Sequence, residues 1–388
     1  MNVTRADFTC YRNLESVSVP FCSGVNVLWG RNAQGKSNIL EGIYYFARGR
    51  SFRGARDREL IMFGAQCARS EIEFLRSGSD TPCALSAAIP NSGKKELCRN
   101  GARLRGSAEM LGAFRAVLFC PSHLSIVVGG PAERRAFLDI AIAQNSFSYI
   151  YYLSNYRRII AERNALLKRA ASGLSVSTEE WETYAEQLCL AASEIYAERS
   201  RYCDELTHDV ADCFSEMTGG VEVPSLRYVS KFGSVSADDT DPGVPYESRE
   251  VMAKLLFAKL TENIDRETAV GTTLWGPHKD DIHITINGRD ARLFASQGQQ
   301  RSIALAMKLA EGEISRRTSG EYPVFLLDDV FSELDSVRRS FIMEKLSGRQ
   351  IIVTSCEPSV IPDDEGSGEV RYLEVSGGRI LGGGDPIG

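Results

Sequence analysis

Eight consecutive residues, Gly30-Arg31-Asn32-Ala33-Gln34-Gly35-Lys36-Ser37, constrain this chain more than any other feature. They fit the pattern G-x-x-x-x-G-K-[S/T], follow the strand-like run Val25 to Trp29 and lead into a segment of helical period from Lys36 to Phe46. A strand, a glycine-rich turn and a helix are what a phosphate loop requires. The glycines let backbone N–H groups wrap phosphates, and the helix N-terminus adds a positive dipole. Lys36 reaches the outer phosphates and the Ser37 hydroxyl ligates magnesium. Residues 30–37 are therefore the expected ATP-binding element, with Lys36 catalytic and Ser37 a metal ligand.

A phosphate loop needs a distant acid to hold the metal. Val324-Phe325-Leu326-Leu327-Asp328-Asp329 supplies an apolar strand ending in two carboxylates. Asp328 is expected to partner magnesium and Asp329 to orient or deprotonate the attacking water, although two acids at a strand end also suit a turn cap. Between these motifs, Ser296-Gln297-Gly298-Gln299-Gln300-Arg301 opens a helix with apolar residues Ile303, Leu305, Ala306 and Leu309. A serine hydroxyl and a glycine amide at a helix N-terminus make an anion site. A serine N-cap accounts for the same letters.

The rest of the chain divides around these motifs. A length of 388 residues suggests two or three compact units. Strand signals at Glu71 to Leu75, Cys83 to Ala88, and Glu96 to Cys98 with Ala102 to Leu104 around Asn100-Gly101 place hairpins in the first part. From Pro131 to Arg169 the pattern is helical. A further helix starts at the Ser177 to Glu180 capping box and continues toward Met217. Trp181, Leu188, Ile195 and Tyr202 fall seven apart, but Glu198 and Glu205 stand at the partner positions, so a packed helical pair is expected rather than a coiled coil. Ser234 to Ser248 is polar and acidic and is expected to be a loop. Strands return at Ile282 to Ile286 and Ala291 to Phe294 around Asn287-Gly288, then a helix from about Gln299 and strands Val324 to Leu327 and Ile351 to Thr354. The expected fold is an α/β lobe, 1–128 with 266–388, split by a helical insertion, 129–265.

Composition limits the partners. With 43% hydrophobic and 25% charged residues the chain is globular rather than disordered. A net charge of −6 argues against nucleic acid, but Arg48 to Arg58 holds five arginines against Asp57 and Glu59. Within it Arg48, Arg50, Arg53 and Arg56 are the candidate DNA-binding residues. Ten cysteines without a Cys-x-x-Cys pair, a polar N-terminus and no long apolar run imply a cytoplasmic chain with no membrane partner. His278 and His283 near Asp280 and Asp281 match no common zinc spacing.

The order of the motifs, phosphate loop 30–37, Ser-Gln-Gly turn 296–300, acidic strand end 324–329 and Ser332-Glu333-Leu334-Asp335, resembles that of ABC-type ATPases, in which the last two correspond to the Walker B strand and the D-loop. The long interval between Ser37 and Asp328 resembles the SMC-like group, whose ATPase head is divided by an insertion, but no heptad run is long enough for an SMC arm. Further stretches are similar to the RecF family: Tyr11-Arg12-Asn13, Gly49-Arg50-Ser51-Phe52-Arg53, Pro131 through Asp139, Arg163 through Lys168, Gly276-Pro277-His278-Lys279-Asp280-Asp281 and Leu327 through Asp335. Two departures stand out: Ser37 replaces the family's common threonine, and Thr354-Ser355-Cys356-Glu357 lacks the histidine with which many ABC ATPases sense the γ-phosphate.

The resemblance implies an ABC-type ATPase head that binds ATP and magnesium and hydrolyses ATP slowly, stimulated by DNA. It implies a homodimer in the ATP state, in which Ser296, Gln297, Gly298 and Gln299 meet the γ-phosphate held by the opposite subunit. It further implies binding to single-stranded and double-stranded DNA or their junctions, with RecR, RecO and RecA as functional partners in gap repair and the SOS response. The soluble ATPase subunit of an ABC transporter, and a non-catalytic nucleotide-gated clamp, are the competing readings.

Overall fold

The structure, a computed structural model, describes residues 1–230, 244–358 and 369–381. Contacts within it separate two units, Met1–His123 with Lys308–Gly388, and Leu124–Met307.

Two sheets build the first unit. One is antiparallel, with strands in the order Leu14–Pro20, Asn2–Tyr11, Cys67–Leu75, Cys83–Pro90, Glu96–Arg99 and Ala102–Arg103. Cys83, Leu85, Ala87 and Ile89 are buried while the residues between them are partly exposed, the period of two that a sheet covered on one face produces. The other sheet runs Arg379–Leu381, Val370–Ser376, Val25–Trp29, Ile351–Ser355, Val324–Asp328 and Ala116–Phe119. Its pairings are parallel apart from the terminal hairpin. Val324–Asp328 and Ile351–Ser355 are buried at every position, as strands of a parallel sheet covered on both faces are. The helix Lys36–Arg48 leaves the strand Val25–Trp29 and buries Ile39, Leu40, Ile43 and Phe46.

The second unit is mainly helical. The helical stretch expected over Pro131 to Arg169 is two helices, Pro131–Ala143 and Phe147–Ala171, because Ser146 caps the second by accepting a hydrogen bond from the Tyr149 N–H at 3.2 Å. The helix Thr178–Thr218 carries the expected capping box of Ser177 and Glu180, and it buries Trp181, Leu188, Ile195 and Tyr202. Arg163 is fully buried, donating to Glu267 at 2.5 Å and Thr273 at 3.0 Å, so it belongs to the interior of this unit.

Two boundaries differ from the sequence reading. The strand Asp281–Ile286 pairs with Pro224–Ser230 and with Arg289–Asp290, in a sheet of the second unit. The second division therefore falls at Met307/Lys308 rather than at 265/266, and the first at His123/Leu124 rather than at 128/129. Ala291–Phe294, expected as a strand, is a short helix: the Asp290 carboxylate accepts from the Leu293 N–H at 3.0 Å and turns the chain after two paired residues. Of the loop expected over Ser234 to Ser248, residues 234–243 lie outside the described residues, and Val244–Pro245 pairs with Val229 and Ser230. No helix among the described residues is long and apolar enough to cross a membrane.

A polar network lies inside the second unit. Asp139 accepts from Arg199 at 2.8 Å and from the Tyr149 hydroxyl at 2.6 Å, and Arg199 also donates to the Pro277 carbonyl at 2.7 Å. Burial alone would raise the Asp139 carboxyl, but the positive Arg199 and the two hydrogen bonds hold it below its ordinary value. Beside it, His278 Nδ1 meets the Tyr156 hydroxyl at 2.6 Å. Burial pulls the imidazole from 6.5 down to about 4, with Lys279, Arg135 and Arg199 adding to the effect. The unfolded chain takes up this proton near 6.5 while the folded chain resists it, so stability is complete above pH 6.5 and declines as the pH falls toward 4. Between pH 7 and 5, urea unfolding of the parent should lose about 2 kcal/mol more than that of His278→Asn. Equal losses in the two proteins would show that His278 is not held neutral by the fold.

Candidate nucleotide site

Parallel register determines which residues meet in the first unit. Thr354 stands beside Leu28 on one side and Asp328 on the other, and Ser355 stands beside Trp29. The loop 30–37, the carboxylates at 328 and 329 and the residues after Ile351–Ser355 thus leave the sheet at the same edge, the carboxyl ends of parallel strands, where open α/β sheets bind their ligands. A cavity of about 200 Å³ opens there, lined by residues 32–38 together with Arg53, Asp329, Thr354 and Cys356.

The loop is held from several directions. Lys36 is buried, and its Nζ donates to the carbonyls of Gly30 at 2.5 Å and Arg31 at 2.8 Å. Gly30 adopts φ 144°, and a Cβ there would lie 2.3 Å from the Val375 carbonyl oxygen. Gly35, at φ 113°, begins the helix with no side-chain cap, and a Cβ would meet Asn13 Oδ1 at 2.9 Å. An uncapped helix start beside a backbone-lined cavity is a place for an anion. The Gln34 side chain accepts from the Gly377 N–H at 2.6 Å and its carbonyl from the Gly378 N–H at 2.9 Å. Asn13 Nδ2 approaches the Ala33 carbonyl at 3.4 Å, and Asn38 Nδ2 donates to Asn13 Oδ1 at 2.8 Å. Cys356 Sγ stands 3.1 Å from Asn32 Oδ1. Ser37 lies in the cavity lining, and Asp328 stands just behind it, bonded to the lining residue Thr354 and 3.9 Å from Arg53, so Ser37 and Asp328 could hold a metal between them.

At the acidic strand end, Asp328 is buried and accepts from the Thr354 hydroxyl at 2.9 Å. Asp329 is exposed to the cavity, has φ 53°, and donates its N–H to the same Thr354 oxygen at 2.9 Å. Ser332 donates to the Asp329 carbonyl at 2.7 Å, and Asp335 caps the helix Ser336–Lys345 through the Arg338 N–H at 2.9 Å. In the second unit, Ser296 and Gln299 form a reciprocal cap: Ser296 Oγ accepts from the Gln299 N–H at 3.2 Å, and Gln299 Oε1 accepts from the Ser296 N–H at 2.6 Å. Ser296 and Gln297 are exposed, Gly298 follows in the helix Gln297–Ser319, and Gln299 Nε2 donates to Glu222.

The arginine cluster does not form one exposed face. Arg48 is half-buried and donates to the Ser51 carbonyl at 3.3 Å, and burial draws its guanidinium below the usual arginine range. Arg53 turns into the cavity, donating to Asn38 Oδ1 at 2.9 Å and lying 3.9 Å from Asp328 Oδ2. A chain of contacts sets it there: Arg12 grips the buried Glu41 with two bonds of 2.9 Å, Ser51 Oγ donates to Glu41 at 2.5 Å, and the Arg53 N–H donates to Ser51 Oγ at 3.1 Å. Arg50 and Arg56 are exposed and form no ion pair among the described residues. Sequence reasoning offered all four to DNA; Arg50 and Arg56 are exposed without an ion pair among the described residues, Arg53 is exposed but turned toward Asp328, and Arg48 is half-buried. Asn38 and Glu41 were not singled out, Asn13 entered only within the stretch Tyr11-Arg12-Asn13, and Thr354 only within the segment that lacks a histidine. Thr354 alone had a local signal, as the first polar residue ending an apolar strand.

With this geometry in place, the comparisons with known proteins are decisive. The sequence model of the RecF/RecN/SMC N-terminal domain matches residues 2–371. The chain is 34% identical over 371 residues to the DNA replication and repair protein RecF of Thermoanaerobacter pseudethanolicus, covering 96% of this chain and 97% of that protein. The chain belongs to the RecF family. It is also 35% identical to the protein of that name from Bacillus velezensis, covering 94% of this chain and 95% of the other. A solved structure described as the recombination mediator protein RecF-ATP in the RecFOR pathway superposes with a TM-score of 0.88 and 32% identity, covering 98% and 97% of the two chains. An Smc head bound to the C-terminal winged-helix domain of ScpA, at 16% identity and a TM-score of 0.54, shares the fold. The chain is thus an ABC/SMC-like ATPase head with an insertion and without a long coiled coil, and family membership sets the transporter-subunit reading aside.

Proposed function

We propose that this chain is an ATP- and magnesium-dependent switch of DNA replication and repair, which closes as a homodimer around two nucleotides and holds DNA in that state. The observation that carries the reading is the convergence of the Gly30–Ser37 loop with Asp328 and Asp329 at the carboxyl ends of parallel strands. The ATP named in the description of the superposed RecF-ATP structure agrees with it.

The residues divide the work by position. Lys36, now bonded to its own loop, swings its ammonium onto the outer phosphates, and the loop amides from Gly30 to Ser37 enclose them. Ser37 and Asp328 would hold magnesium, which would neutralise charge on the terminal phosphates when bound. Asp329 accepts a proton from the attacking water. Arg53, 3.9 Å from Asp328, presents a cation at the same place and acts on nucleotide in its own subunit. Ser296, Gln297, Gly298 and Gln299 supply an exposed helix start to the γ-phosphate of the opposite subunit. Slow, DNA-stimulated hydrolysis would then reopen the dimer. Arg50 and Arg56 offer phosphate contacts to single-stranded or double-stranded DNA or their junctions. Work with RecR and RecO agrees with the RecFOR pathway named in the description of the superposed structure, and a role with RecA in gap repair and the SOS response is what membership of the RecF family implies.

Turnover of ATP with and without DNA is the central test. Lys36→Met should weaken nucleotide binding and abolish ATP-dependent dimerisation, whereas Asp329→Asn should bind ATP and stay dimeric with turnover reduced by about 100-fold or more. Parental affinity in the first variant, or parental turnover in the second, would overturn the corresponding role.

Ser296→Arg should leave nucleotide binding by the monomer intact and prevent the ATP-dependent dimer, read by light scattering, because an arginine would fill the space of the opposing γ-phosphate. A dimer as tight as the parent's would reduce Ser296 to the helix cap it already forms. For DNA, Arg50→Ala with Arg56→Ala should weaken duplex binding across sequences and lower the salt slope by about 2, one for each phosphate that an arginine no longer neutralises. An unaltered slope would place the DNA surface elsewhere.

A further inference from the structure

The histidine with which many ABC ATPases sense the γ-phosphate is missing after Ile351–Ser355, yet this strand end is joined to both carboxylates, Asp328 and Asp329, through one side chain. Thr354 is 2% exposed, and its hydroxyl makes two bonds at once. It donates to Asp328 Oδ1 at 2.9 Å and accepts from the Asp329 N–H at 2.9 Å. A hydroxyl has one proton to give and lone pairs to receive, so both bonds are satisfied together and fix its rotamer. The residue held in this way, Asp329, is in the left-handed region at φ 53°, where a residue with a Cβ is strained unless its surroundings determine it. Valine in place of threonine would leave that N–H without its acceptor and Asp328 without its donor, at almost unchanged volume.

We propose that Thr354 is the positioning residue of the hydrolytic step: it holds the Asp329 backbone so that the carboxylate faces the cavity, and it orients Asp328 for the metal. The inference rests on the nucleotide reading above. In the step it serves, the water oxygen bonds to the terminal phosphorus as its proton passes to the Asp329 carboxylate. The bond from that phosphorus to the bridging oxygen breaks, and its electron pair leaves with ADP. Thr354 touches neither water nor phosphate in this account. It acts through the two aspartates.

The test compares Thr354→Val and Thr354→Ser with the parent in full-length protein, measuring ATP affinity, kcat, melting temperature and amide hydrogen exchange at Asp329 without nucleotide. The valine variant should lose about 10- to 100-fold in kcat, the range seen when a partner of a metal-ligating carboxylate is removed. Its ATP affinity should stay within about threefold, since the loop 30–37 that makes most phosphate contacts is untouched. The Asp329 amide should exchange faster, and the serine variant should recover most of the lost turnover. In an Asp329→Asn background the valine substitution should cost less than in the parent, because the route through the Asp329 carboxylate is already cut and only that through Asp328 remains. If the valine variant does not fold, Thr354→Ala carries the same predictions. Unchanged kcat in a folded variant, or a loss that is equally large with Asn at 329, would overturn the proposal while leaving the nucleotide reading intact. A parent that neither binds nor hydrolyses ATP would overturn both.

Discussion

Parallel pairing of Val25–Trp29 with Ile351–Ser355, and of the latter with Val324–Asp328, is the constraint on which the candidate site depends. Parallel neighbours cannot be joined by a tight turn; each needs a crossover, which between Val25–Trp29 and Ile351–Ser355 includes the whole second unit and between Val324–Asp328 and Ile351–Ser355 the helix Ser336–Lys345. Because parallel strands begin and end together, the loop after Trp29, the carboxylates after Leu327 and the polar residues after Val353 leave the sheet at one edge. A shift of one residue in the pairing of Val324–Asp328 with Ile351–Ser355 would turn Asp328 and Thr354 to opposite faces and break their hydrogen bond.

Around that edge, buried polar groups supply precision where apolar packing alone would not. Glu41 is completely buried, and its two oxygens are taken by Arg12 and Ser51. Removing one partner of such a pair typically costs about 3–5 kcal/mol, far more than an exposed ion pair contributes, because a buried charge is left without compensation. The same bonds tie the turn after the first strand, the phosphate-loop helix and the Arg50-Ser51-Phe52-Arg53 segment into one body, and so dictate where Arg53 points. In the second unit, Arg163 with Glu267 and Arg199 with Asp139 use the same device among its helices. These four charged groups are positioned for the interior and not for a nucleic-acid surface.

Much of the molecule was legible in its letters, for reasons of local physics. Glycines at 30 and 35 with lysine and serine after them form a phosphate loop because backbone freedom, the helix start and the two side chains all act within a few residues. Apolar runs revealed the parallel strands, and a serine with a glutamate three residues later revealed the start of Thr178–Thr218. The strand expected at Ala291 to Phe294 failed because a single Asp290 cap outweighed alternation. The arginine cluster shows a different limit: closeness in sequence indicated one charged face, but Arg48 is half-buried and Arg53 turns toward Asp328 while Arg50 and Arg56 stay exposed.

Residue order supplied the chemistry available and the short elements that carry it: the loop 30–37, the acidic strand end at 328–329, the Ser296 helix start and the α/β class. Which of these share a site, which arginine enters it, and the link from Thr354 to both carboxylates came from the packing of distant segments. Hydrogen bonds of 2.9 Å between side chains on different strands depend on register and on packing from both faces of the sheet, and neither is encoded in the spacing of residues along the chain.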